Sequence, residues 1–174
     1  SGVTHMKDNF DLSNLKAPKK RINSRSKGSS FERKICNLLN STFETKEFCR
    51  TPGSGAFATT HKLPEHLKIH GDLITPEKFK FTIECKKGYN KENLSSLFSS
   101  NSKLAEFISQ AKKDSISANK PFIIIWQQDR TDILCILDKY VIPNYLDVKY
   151  LIYKEFIIVR LKDLLREERG FWFN

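Results

Sequence analysis

No run of about eighteen apolar residues occurs in the chain, so the sequence offers no helix able to cross a bilayer. No secretory signal is visible either, and an intracellular, cytoplasmic protein is expected. Cysteine is scarce: Cys36, Cys49, Cys85 and Cys135 form no CxxC pair, which excludes zinc-knuckle and dithiol redox spacing. Three of the four sit inside apolar runs, where cysteine acts as a small hydrophobe, so reduced thiols are expected. The only methionine is Met6, and Ser1 to His5 before it read as what a cloning junction leaves behind.

Acidic residues are also in short supply. Twenty Asp and Glu face 30 Lys and Arg, a formal net charge of +10. An excess of that size favours a polyanionic partner, most commonly nucleic acid. A membrane surface is the other candidate, but no basic helix carries the unbroken apolar face that would lie on one. The 174 residues, 39% hydrophobic, suffice for one domain with its own core. Residues 1–28 divide into the tag remnant and a basic arm with Lys16, Lys19, Lys20, Arg21, Arg25 and Lys27. The folded domain is expected over 29–174.

Ser29 and Glu32 have the spacing of a capping box, and Phe31, Ile35, Leu38 and Leu39 recur at helical intervals. A helix is therefore expected over 30–40. A short strand ending at Arg50 follows, then a Pro- and Gly-bearing loop, Thr51 to Gly55, and an irregular stretch over 56–70. Strands at 71–75 and 79–87 flank Pro76-Glu77-Lys78, which reads as a hairpin turn. After a polar loop over 88–101, Leu104, Phe107, Ile108 and Ala111 mark a helix over 102–118. Phe122 to Trp126 suits a buried central strand, paired with a strand from Thr131 to Leu137. A late strand at 150–159 and a closing helix from Leu161 to Arg169 complete an α/β fold, a mixed central sheet flanked by helices.

The chemistry concentrates in Gly71-Asp72 and Ile83-Glu84-Cys85-Lys86. Strand side chains alternate, so Glu84 and Lys86 share one exposed face while Ile83 and Cys85 face the core. Folding the hairpin near Lys78 brings Asp72 close to Glu84, within the ~4.5–5.5 Å typical of facing Cβ atoms. Two carboxylates beside an ammonium suit Mg²⁺, which takes one or two carboxylates plus water and phosphate. The bland alternative is a surface hairpin with an ordinary Glu–Lys pair.

These residues, with Lys27-Gly28-Ser29-Ser30-Phe31-Glu32-Arg33, Arg50-Thr51-Pro52-Gly53-Ser54-Gly55, Glu106-Phe107-Ile108-Ser109-Gln110-Ala111 and Lys120-Pro121, resemble the PD-(D/E)XK nuclease superfamily. Within it the pattern is similar to the Holliday-junction resolvases of archaea and their phage relatives. The likeness spans about 27–137. It implies a restriction-endonuclease-like fold, Mg²⁺ (with Mn²⁺ able to substitute) and a four-way DNA junction as substrate for a homodimer. It implies Asp72, Glu84 and Glu32 as metal ligands, Lys86 as the catalytic lysine, and Gln110 as a further site residue. Lys27, Arg33, Arg50, Ser54, Gly55, Lys62 and Lys87 are the expected DNA contacts. Two departures stand out: a long 56–70 loop, and Gly71 where the family name has proline.

Several of these residues have other readings. Glu32 could simply cap its helix, and Arg50 could be a surface charge, a phosphate contact or the partner of a site acid. Gly53 and Gly55 could merely shape a turn, and Gln110 could face solvent. His66 and His70 have zinc-like spacing without a third ligand. Trp126 reads as core. Phe171, Trp172 and Phe173 either form a subunit contact or tuck back onto the sheet. Rival functions with the same residues are a restriction-like or general repair nuclease, and a non-catalytic nucleic-acid-binding module.

Overall fold

The computed structural model describes residues 24–52, 71–142 and 146–174. The basic arm up to residue 23, most of the loop after Pro52, Ser54, Gly55, Lys62 and the three histidines from 61 to 70 lie outside the described residues.

Helix α1 (Ser24–Phe43) buries Phe31, Ile35, Cys36, Leu39 and Phe43 along one face. It starts upstream of the expected cap, so Ser29 lies inside it and completes no capping box. The helix therefore crosses the expected boundary between arm and domain. It ends at Glu44, whose φ of +53° breaks the helical path. Strands β1 (Cys49–Arg50) and β2 (Leu73–Ile74) form a small antiparallel pair. The main sheet holds β3 (Thr82–Lys87), β4 (Phe122–Gln127), β5 (Leu134–Asp138), β6 (Tyr150–Tyr153) and β7 (Phe156–Arg160), in the order β3-β4-β5-β7-β6. β3 runs parallel to β4 and the other pairings are antiparallel, so the sheet is mixed.

Helix α2 (Lys103–Ala118) connects β3 to β4, the crossover a parallel pair requires. The Ser102 hydroxyl caps its start by accepting from the Ala105 N–H, and Asn119 ends it in the left-handed region. Alternation in β4 sorts the core into two layers. Ile123 and Ile125 pack with α1, while Phe122, Ile124 and Trp126 pack with Leu104, Phe107, Ile108 and Ala111 of α2. Each such side chain contributes roughly 1.5–3 kcal/mol on burial.

The structure departs from several expected elements. Residues 71–74 form no ladder with β3; β2 turns away to β1, and the link to β3 is the Asp72 N–H donating to the Ile83 carbonyl at 2.8 Å. The late strand is a hairpin, β6 and β7, turning at Lys154-Glu155 with φ of +53° at Lys154. The polar loop before α2 contains a 3-10 turn, Leu94–Phe98. The closing helix is two short pieces, α3 (Leu161–Leu164) and α4 (Arg169–Trp172). The terminal aromatics tuck back: Phe171, Trp172 and Phe173 are buried against Phe79 and Phe81. Asn174 and Lys80 tie that end to the chain entering β3, through Asn174 N–H to the Lys78 carbonyl and Lys80 N–H to the Trp172 carbonyl.

Candidate active site

β3 is an edge strand, and its alternation sends Ile83 into the α1 layer and Glu84 and Lys86 toward α2. The shared face expected for Glu84 and Lys86 is there, but it is covered rather than open. Glu84 is 2% exposed. Helix α2 lies over it because Phe107, Gln110 and Asp114 follow one another at helical spacing along the side facing β3. Lys86 Nζ sits 4.9 Å from the centre of the Phe107 ring and donates to Gln110 Oε1 at 3.4 Å.

Asp72 reaches the site along the edge of β3 that faces away from β4. Its Oδ2 accepts from the Cys85 N–H at 2.7 Å, and its own N–H bonds the Ile83 carbonyl. These two bonds clamp the carboxylate beside β3 without a ladder. Gly71 makes the approach possible. Its φ is +78°, and a Cβ there would meet the Ile83 carbonyl oxygen at 2.5 Å. A proline, fixed near −65°, cannot take that conformation, which accounts for its absence here.

Burial pushes the Glu84 carboxyl up to about 10, and hydrogen bonding to Asp114 and the neighbouring Asp72 charge add to the rise. A buried carboxyl among carboxylates holds its proton unless a cation takes the proton's place. Among the described residues no three His, Cys, Asp or Glu side chains are grouped to enclose a metal. The Asp72–Glu84 pair still fits Mg²⁺, which commonly takes one or two protein carboxylates and fills its remaining positions with water and phosphate. Glu32 is not part of that pair. Arg50 Nε donates to Glu32 Oε2 at 2.8 Å and an Arg50 Nη2 hydrogen goes to the Ser29 hydroxyl at 2.9 Å. The pair is mostly buried and joins α1 to β1. Arg50 is therefore partnered with an acid.

Asp114 carries little signal in the sequence. It sits in a Lys-Lys-Asp-Ser stretch that looks like solvated helix surface, and only its spacing of four from Gln110 hints that it faces β3. Gln110 stays exposed and reaches Lys86. Of the expected DNA contacts, Lys27 and Lys87 lie on one surface, both within 4 Å of Asp129. Arg33 is exposed on α1. All four cysteines are free.

A family profile described as "Phage putative PDDEXK endonuclease" matches residues 23–169. The chain belongs to this family. The match runs from the start of α1 into α4, so it takes in Asp72, Glu84 and Lys86 as well as both helices that flank the sheet. No curated protein and no solved structure matches the chain. Membership makes this PDDEXK protein a nuclease, a hydrolase that binds the nucleic acid it cuts. Nucleases of the superfamily generally use divalent metals. No helix among the described residues is long and apolar enough to cross a membrane.

Proposed function

We propose that the chain is a Mg²⁺-dependent, structure-selective DNA endonuclease that cuts four-way junctions as a homodimer. The observation that carries the reading is the placement of Asp72 beside Glu84 and Lys86 on one edge strand, with Asp72 clamped by the Cys85 N–H. Asp72 and Glu84 are the residues that would hold the ion, with Glu32 nearby on α1. A bound divalent cation would supply charge neutralisation at phosphorus and a more acidic water.

The chain's own residues do the rest. The Cys85 N–H fixes the direction of the Asp72 carboxylate, and the α2 layer excludes solvent from Glu84. Lys86 offers a positive charge where negative charge develops during phosphodiester hydrolysis. Gln110 and the Phe107 ring hold that ammonium in place. Arg33, Lys27, Lys87, Lys62 and the loop at Ser54 and Gly55 supply phosphate contacts, assisted by the basic arm. A junction needs two symmetric nicks and hence two sites, and a two-fold dimer provides them.

The test is a cleavage assay on junction, duplex and single-stranded DNA, each with Mg²⁺ and with EDTA. Junction cutting that requires Mg²⁺ supports the reading. Preferential cutting of plain duplex moves the protein to the restriction-like or repair class. Binding without cutting of any substrate leaves a non-catalytic module.

A further inference from the structure

The dimer in the proposed function needs a surface, and the terminal aromatics are not it, since they are buried. β6 occupies the sheet edge opposite β3, and its outer side pairs with no strand among the described residues. It carries Tyr150, Leu151 and Ile152, all exposed, with Leu151 at 56% and Ile152 at 65%. Charged residues usually blunt such an edge, yet here they flank the apolar strand, as Lys149 and Lys154, rather than interrupt it. Further exposed apolar surface stands beside it. The Tyr153 hydroxyl donates to the Leu97 carbonyl of the 3-10 turn, and that turn exposes Leu94 and Phe98, the latter at 92%. Of the eight large hydrophobic side chains exposed among the described residues, five belong to β6 and this turn.

We infer that β6 pairs antiparallel with β6 of a second copy, about a two-fold axis through Leu151, joining the two sheets edge to edge. The backbone register of β6 admits a second copy of the same strand, and the side-chain and charge pattern favours it. Tyr153 and Phe156 face each other across the two-residue turn and are a hydrogen-bonded pair, so Leu151 and Tyr153 direct their backbone groups to β7. Tyr150 and Ile152 therefore direct theirs outward. A two-fold through Leu151 sets each Tyr150 opposite Ile152 of the second copy, and each such pair exchanges two backbone hydrogen bonds. The side chains agree: two aromatic–β-branched pairs form on one face, a favourable cross-strand combination, and Leu151 meets its own copy on the other. Lys149 falls opposite Tyr153 and Lys154 opposite Val148, so no like charges oppose. Moving the axis midway between Leu151 and Ile152 would set Lys149 against Lys154 and lose the backbone match. A strand paired with its own copy about a two-fold axis is an isologous interface.

This deepens the dimer in the reading above but is tested by mass and cross-linking alone, so its failure is distinct from a failure of junction cleavage. The full chain is examined by light scattering at tens of micromolar, expecting twice 20.2 kDa, with Leu151→Lys expected to halve that mass while still melting cooperatively as a folded monomer. In a Cys49→Ser background, which removes the exposed thiol, Leu151→Cys should cross-link between copies on mild oxidation. Facing residues that are not hydrogen-bonded lie ~4.5 Å apart at Cα, within the reach of a disulfide. Ile152→Cys should cross-link poorly, because its copy is displaced by two residues. A monomeric wild type, a dimer that survives Leu151→Lys, or stronger cross-linking at 152 than at 151 would each overturn the inference.

Discussion

A Cβ placed on Gly71 would stand 2.5 Å from the carbonyl oxygen of Ile83, the same oxygen that receives the Asp72 N–H. Backbone meets backbone there, so the clash cannot be relieved by a rotamer change. Gly71→Ala should lower the melting temperature and reduce cleavage beyond what stability explains, because Asp72 must shift to make room. A strained left-handed residue costs on the order of 1–3 kcal/mol, and the overlap adds to that. The check is a thermal melt beside a single-turnover rate at a temperature where the variant is fully folded. A rate equal to wild type would show that the Asp72 position tolerates displacement.

The Asp72–Glu84 proximity was legible because strand alternation and a turn near Lys78 are strong local signals. Its geometry was not, because β2 leaves for β1 and the contact rests on two hydrogen bonds rather than a ladder. The start of α1 lies upstream of the expected one because Ser29 and Glu32 imitate a cap, whereas both serve Arg50 from another element. The β6–β7 turn lacked any Gly, Asn or Pro to announce it, and Lys154 takes a positive φ without them. Asp114 is silent in the sequence for a different reason: its partner is 30 positions away, and local sequence describes its helix but not what that helix covers.

Glu84 gives the metal-free protein a pH dependence with a definite sign. Unfolded, its carboxyl ionises near the ordinary 4.5; folded, it holds the proton until about 10. The stability linked to this group is full below the unfolded value and is lost as pH rises toward the folded one. In EDTA the melting temperature should therefore fall between about pH 5 and pH 9, and Glu84→Gln should flatten that slope. Mg²⁺ favours the ionised carboxylate, so the shift it produces in the melt should grow with pH. A slope identical in Glu84→Gln would assign it to other groups.

Lys86→Ala should abolish cleavage while DNA affinity changes by only a few fold. One ammonium is a minor share of the phosphate contacts of a protein with net charge +10, but its position beside Gln110 and Phe107 is local to the chemistry. Parallel binding and single-turnover measurements separate the two effects. Retained cutting near the wild-type rate would remove Lys86 from the mechanism.

Glu32→Gln keeps an oxygen for Arg50 Nε and removes only the charge. The melt should move little, whereas Glu32→Ala, which leaves a mostly buried guanidinium short of its acceptor, should lower stability by about 1–3 kcal/mol. If Glu32 also serves the ion held by Asp72 and Glu84, Glu32→Gln should cut at least tenfold more slowly, about 1.4 kcal/mol of transition-state stabilisation. An unchanged rate would confine Glu32 to holding α1 against β1.

The structure also redraws where the basic arm can be removed. Helix α1 begins at Ser24, so a deletion reaching residue 26 would cut into its first turn and confuse unfolding with lost binding. Deleting residues 7–22 leaves the helix whole and removes Lys7, Lys16, Lys19, Lys20 and Arg21. If these contact phosphates, each lost contact should reduce the slope of log affinity against log salt by about 0.9 on duplex DNA. The truncated protein should melt as the full chain does, bind more weakly at low salt, and approach the full chain's affinity as salt is raised. Affinity measured across a salt series for both proteins gives the two slopes directly. Equal slopes with equal melts would show that the arm contacts no phosphate, and that the +10 charge acts through the folded domain alone.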